Sequence, residues 1–179
     1  MNTTVSARLG ETPIQCADRY GAPKTDPSTK MSEKTMPLME GAILHTYEFQ
    51  GWIIRAAFLD INGPAVRIEY QKSMKAGGQL QIQVYEVEAI LKGECPQGTT
   101  WKPVIYNNQN SPNRGLAKVA ESSFMGLTGA SEWQRTDSAI AQLRPGSLFL
   151  RLEFPSAHQF EQQLKAQKEF KARGSVPNF

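Results

Sequence analysis

The chain has 179 residues, 40% of them hydrophobic, which is enough to bury a core unaided. Its 20 basic and 17 acidic residues leave a formal net charge of +3. That is too mild for a dedicated nucleic-acid binder, and no run approaches the roughly 20 apolar residues of a membrane span.

Residues 1–9 read as a flexible N-terminus, with neither a basic n-region nor an apolar h-region. The expected location is periplasmic or secreted if a signal peptide has been removed, and cytoplasmic otherwise. A short helix follows over residues 12–20. Thr12 is its N-cap, Pro13 its first helical residue, and Ile14 and Ala17, joined by Cys16 and Tyr20, its apolar face. Gly21 and Pro23 end it. Residues 24–40 are rich in Lys, Ser, Thr, Pro and Met and predict an irregular connection. Its later part packs through Met31, Met36, Leu38 and Met39.

The strongest signal lies between Ile43 and Gln71. Three strand-like runs, 43–49, 52–59 and 65–71, are separated by Gln50-Gly51 and by Asn62-Gly63-Pro64. Val66, Ile68 and Tyr70 alternate with Arg67, Glu69 and Gln71, the period of a half-buried strand. The middle run is apolar on both faces, as a central strand is. Gly51 suits a tight hairpin, and Asn62-Gly63 is the second hairpin signal. The reading is an antiparallel β-meander.

Residues 72–79 form a link, and residues 81–92 carry a helical period that Gly93 ends. Residues 94–100 are turn-rich. Residues 101–106 form a short apolar run interrupted by Pro103, hence an edge strand or a poorly paired one. Residues 107–114 are the best exposed-loop candidate, and 115–130 show no clean period. Residues 131–143 read as one strand holding Trp133, Arg135 and Ile140. After a turn at 144–147, Leu148, Leu150, Leu152 and Phe154 alternate as a strong strand. Residues 157–173 read as a weakly amphipathic helix with Lys165, Lys168 and Lys171 toward its end, where the helix dipole favours cations.

The fold class is therefore α+β: antiparallel β-meanders with short helices packed on one face. Residues 10–155 form one domain or two tandem helix-plus-meander halves, 10–71 and 80–155. Residues 156–179 are a C-terminal helix and tail.

Little catalytic chemistry is visible. Cys16 and Cys95 are buried thiols, a disulfide pair or reactive groups; their separation fits no zinc motif. His45 lies in a strand and His158 at a helix start. Neither has a metal-ligand or triad context, and no glycine-rich phosphate loop occurs. No cofactor is expected. Arg55, Arg67 and Arg151 share a sheet face with Glu69 and Glu153, as cross-strand charge pairs or as a recognition surface for an acidic partner. The candidate partner-binding residues are Arg55, Arg67, Trp133, Arg135, Lys165, Lys168 and Lys171. The expected function is a non-catalytic protein-binding or structural module. The alternative is a small-ligand binder or an enzyme using a Cys16/His45 pocket.

Gly10-Glu-Thr-Pro-Ile-Gln-Cys-Ala-Asp-Arg-Tyr-Gly-Ala-Pro23, followed by Trp52-Ile-Ile-Arg-Ala-Ala-Phe-Leu59 and Val66-Arg-Ile-Glu-Tyr70, resembles small exported proteins of the Verrucomicrobia and Planctomycetes group. Val87-Glu-Ala-Ile-Leu91, Thr100-Trp101 and Trp133-Gln-Arg-Thr-Asp137 resemble the second half of the same proteins. More remotely, the helix–Gly–x–Pro–meander order is similar to that of the outer-membrane-assembly lipoproteins of the SmpA/OmlA type and of the β-lactamase inhibitor protein. The resemblance implies a binding module with a helical layer on a curved sheet. It also implies an accessory role in an envelope or exported assembly, with a protein partner. The basic C-terminal helix reads as a solvated surface helix, with docking on a partner or peripheral membrane contact as the alternative. The lipobox cysteine of the lipoproteins has no counterpart near the start of this sequence.

Overall fold

The computed structural model describes residues 9–74, 79–104, 132–144, 146 and 148–174, with side chains to residue 172. The expectations for residues 1–8, 107–114 and 115–130 lie outside the described residues.

The meander is the first half of a seven-stranded antiparallel sheet. β1 (Ile43–Phe49), β2 (Trp52–Phe58) and β3 (Ala65–Lys72) pair in sequence, with Phe49 opposite Trp52 across the two-residue turn. Gln50 and Gly51 both have positive φ, 49° and 82°, as a two-residue hairpin with matching strand twist demands. The second turn is built differently from the Asn-Gly hairpin expected of it. Asp60 anchors a longer loop, its side chain accepting from the Asn62 N–H (2.9 Å) and its carbonyl from the Gly63 N–H (3.1 Å). The β2–β3 register shifts between Ala57 and Phe58, so β3 carries one extra residue there.

The second half contributes β4 (Trp101–Pro103), β5 (Glu132–Arg135), β6 (Ile140–Leu143) and β7 (Phe149–Glu153). The sheet order is β1-β2-β3-β7-β6-β5-β4, so two meanders meet along β3 and β7, the last strand of each. β4 is an edge strand, as Pro103 requires. The single strand expected over 131–143 is in fact a hairpin, β5 and β6. Arg135 N–H donates to the Ala139 carbonyl (2.8 Å), Ser138 adopts φ 72°, and the Asp137 carboxylate accepts from the Arg135 guanidinium. An Arg-Thr-Asp-Ser turn has no Gly or Pro to announce it.

α1 (Pro13–Tyr20) and α3 (Val84–Gly93), the two short helices marked in the sequence, cover one face of the sheet. Thr12 and Gln15 form a capping box at α1. Beneath them a row of side chains crosses the sheet in register: Tyr47, Ile54, Tyr70, Leu150 and Leu143. Cys16, Tyr20, Val87 and Leu91 pack into it, with Trp133 and Trp101 extending the core toward β4. Each large aliphatic side chain buried here contributes roughly 1.5–3 kcal/mol. Leu9, expected within a loose lead-in, is buried instead, its N–H donating to Glu94.

The other face is covered only in part. α4 (Pro155–Gly174) lays Ala157 and Phe160 on Ala57, Val66, Leu38 and Met39. Beyond Leu164 its described side chains are all exposed, because the helix has run past the core. The segment expected to be irregular contains α2 (Pro27–Thr35), capped by Asp26 with Pro27 next in line. No residue of α2 is buried, so the apolar period that reveals most helices is missing.

Candidate functional site

The strand period places Thr46, Arg55, Glu69, Arg151, Gln142 and Glu132 opposite one another on neighbouring strands, a polar row across the partly covered face. Arg151 holds Glu69 through Nε (3.2 Å) and Nη2 (2.7 Å). Arg55 reaches the other oxygen of Glu69 at 3.4 Å and donates to the Met36 carbonyl at 2.6 Å. One carboxylate thus serves two guanidinium groups. One pair of residues along, Ile53, Gln71 and Phe149 occupy the adjoining rungs of the same face.

α2 and residues 36–38 stand over these two rows and leave a cleft of about 690 Å³. That is the size of a site for a small molecule or a few residues of peptide. The roof is tied down by polar contacts: Thr46 Oγ1 donates to Glu33 (2.8 Å) and the Lys24 N–H donates to the Thr46 carbonyl (2.7 Å). Arg144 lines one side, and among the described residues no carboxylate pairs with it. Asp26 also lines the cleft, but its carboxylate is turned onto Ser28 and Thr29, whose hydrogen bonds hold it well below the usual carboxylate range. Lys24 is paired with Glu48 at 3.2 Å.

Of the residues expected to meet a partner, Arg55 does reach this cleft. Arg67 does not. It is 4% exposed and holds together three parts of the fold, with Glu153 at 2.6 Å, Glu161 at 2.7 and 2.8 Å, and the Leu38 carbonyl at 3.0 Å. Burial opposes its charge, but the hydrogen bonds and charges of Glu161 and Glu153 outweigh that and hold the guanidinium above its ordinary value. Trp133 is also withdrawn, as a buried part of the core. Arg135 is 2% exposed, clamped on Asp137, hydrogen-bonded to the Glu94 carbonyl and flanked by the Trp101 and Phe154 rings. These three residues are structural, because the strand period that puts an arginine on a face does not say what covers it. Lys165, Lys168 and Lys171 are exposed on α4 and do not line the cleft, and Lys168 reaches Glu40.

Cys16 is buried and Cys95 half-buried, and both are free thiols rather than the disulfide pair that was one of the readings open to them. Burial and the nearby Glu11 and Glu94 push the Cys16 thiol up to about 12, which removes the thiolate a nucleophile needs. Burial depresses His45, whose Nδ1 lies 3.2 Å from the Tyr47 hydroxyl; neither Cys16 nor His45 lines the cleft. Among the described residues no group of three or more metal-binding side chains comes together, and no helix is long and apolar enough to cross a membrane.

Beneath the helices lies a buried polar group that sequence reasoning missed. Glu94, just past α3, is fully buried. It accepts from the Tyr70 hydroxyl (2.5 Å) and the Leu9 N–H (2.7 Å), while the Tyr20 hydroxyl sits 3.5 Å from that of Tyr70. Burial drives its pKa up to about 7, against the opposing pull of these hydrogen bonds and of Arg135. No cleft opens on it among those described, so it ties the chain together and does not face a ligand.

Fold and site together define a class: an α+β protein whose antiparallel sheet carries a charged cleft on the face opposite α1 and α3. No particular family follows, since no family model, no curated protein and no solved structure matches the chain.

Proposed function

We propose that this protein is a non-catalytic binding module, an accessory subunit that takes a segment of a partner protein into the cleft between α2 and the sheet. The observation that carries the reading is the cleft itself. It is a concavity of about 690 Å³ over the sheet, lined by both apolar and charged side chains. The thiol and imidazole that a catalyst would draw on lie elsewhere, one of them wholly buried. The resemblance to small exported proteins supports placing the module in an envelope or exported assembly. No nucleic-acid partner belongs to this reading, because the net charge of +3 is small.

A photo-crosslinking residue placed at Gln71, in the cleft, is compared with one at Lys102, on the exposed side of edge strand β4. Both are exposed to native extract, and the adducts are identified by mass spectrometry. The reading expects a discrete adduct from position 71 and none from position 102. The same adducts from both positions, or none from 71, would refute it.

A further inference from the structure

The floor of the cleft has more positive charge than it has carboxylates to meet it. Arg55 and Arg151 share Glu69, and Arg144, lining the same space, has no carboxylate among the described residues. The two acidic groups elsewhere on the lining are already engaged, Glu48 by Lys24 and Asp26 by its own helix cap. Three guanidinium groups therefore line the cleft, and its one carboxylate not engaged elsewhere, Glu69, is held by two of them.

Resting on the binding reading above, we propose that the partner segment is acidic and extended, and that it seats a carboxylate on Arg144 and Arg151. Guanidinium groups bind carboxylates through two parallel hydrogen bonds, and these are stronger when partly screened from water. Arg151 and Arg144 are both half-buried, and Arg151 already holds one oxygen of Glu69 through both Nε and Nη2. The neighbouring rung sets the second requirement. Ile53 and Phe149 lie two residues along their strands from Arg55 and Arg151, about 7 Å away at strand spacing. An extended segment repeats its side chains on one face at that same interval. The fitting sequence therefore places Asp or Glu two residues from an aliphatic or aromatic residue. A basic segment is repelled, and a neutral one leaves Arg144 desolvated without a partner.

The test uses the full chain and acetylated, amidated fluorescent hexapeptides containing Val-Ser-Glu, with Val-Ser-Gln and Val-Ser-Lys as controls. Binding is read by fluorescence anisotropy at low and at high salt. The Glu peptide should bind at least about tenfold more tightly than the Gln peptide, as a charge-assisted pair predicts. The advantage should shrink with salt, since part of the site is open to solvent. Arg144→Ala should remove the advantage without shifting the unfolding midpoint, because Arg144 makes no ion pair among the described residues. Arg144→Lys should restore only part of it. Equal affinity for Glu and Gln peptides would overturn the acidic assignment and leave the cleft reading standing. Preference for the Lys peptide, or an Arg144→Ala variant that still discriminates, would also overturn it. If no peptide binds, the proposal fails, and the crosslinking experiment alone then decides the reading beneath it.

Discussion

Replacing Glu94 with Gln should make the protein more stable at pH 8 and leave it unchanged near pH 4.5. Glu94 is fully buried and its pKa is raised by burial from 4.5 to about 7. In the unfolded chain the same carboxyl ionises near its ordinary value. Between these two values the unfolded state releases a proton that the folded state keeps, so stability is greatest below about pH 4.5 and is lost as pH rises through about 7. At about 1.4 kcal/mol for each pH unit, the penalty above pH 7 is about 3 kcal/mol. Glutamine is neutral throughout. It can accept from the Leu9 N–H and donate its amide to the Tyr70 hydroxyl, which then donates toward Tyr20. The assay is urea unfolding of both proteins at half-unit steps from pH 4.5 to 8. Subtracting the two curves cancels groups common to both, including Asp137 and Glu161, which their arginine partners hold below the ordinary carboxylate value. The difference should grow from near zero to about 3 kcal/mol in favour of the variant. Profiles that run parallel across this range would refute the assignment of the cost to a buried carboxylate.

Arg67→Ala should cost about 1.5–3 kcal/mol, since it strips a charged hydrogen-bond partner from the part-exposed Glu153 and Glu161 and unties α4 from the sheet. Hydrogen exchange should show the first turns of α4 loosening well before β3, and a variant as stable as the parent would contradict the role. In native protein a thiol reagent should modify Cys95 ahead of Cys16, with Cys16 reacting only at the rate of unfolding. Immediate labelling of Cys16 would show that its burial is not maintained in solution.

The meander was legible because β3 alternates apolar and polar residues, because β2 between its neighbours is apolar on both faces as a central strand is, and because Gly51 can hold a left-handed conformation. The same rule grouped Arg55, Glu69 and Arg151 on one face, which the strand register bears out. Three features were hidden. α2 has an Asp-Pro start that could have announced it, but no apolar stripe, since it touches the sheet through Glu33 and backbone groups. The β5–β6 turn closes on an Asp–Arg pair and a left-handed Ser138 rather than on glycine. Glu94 sat in a turn-rich stretch where a carboxylate reads as solvated; what buries it are Leu9, Tyr70 and Arg135, at sequence separations of 85, 24 and 41 residues. The cleft failed to show for a related reason: its walls come from residues 24–38, 46–73 and 144–151, and no local pattern joins them.

The seam between β3 and β7 sets an order of events during synthesis. Glu69 must wait for Arg151, its partner 82 residues later, and Arg67 for Glu153 and Glu161. A nascent chain emerging from the ribosome can close its first three strands early, yet the β3 rim, with unmatched amides and two half-satisfied charges, stays open for most of translation. Such a rim is a template for wrong pairing between chains. The late-arriving strand is therefore the step at which ribosome-associated chaperones would have most to protect.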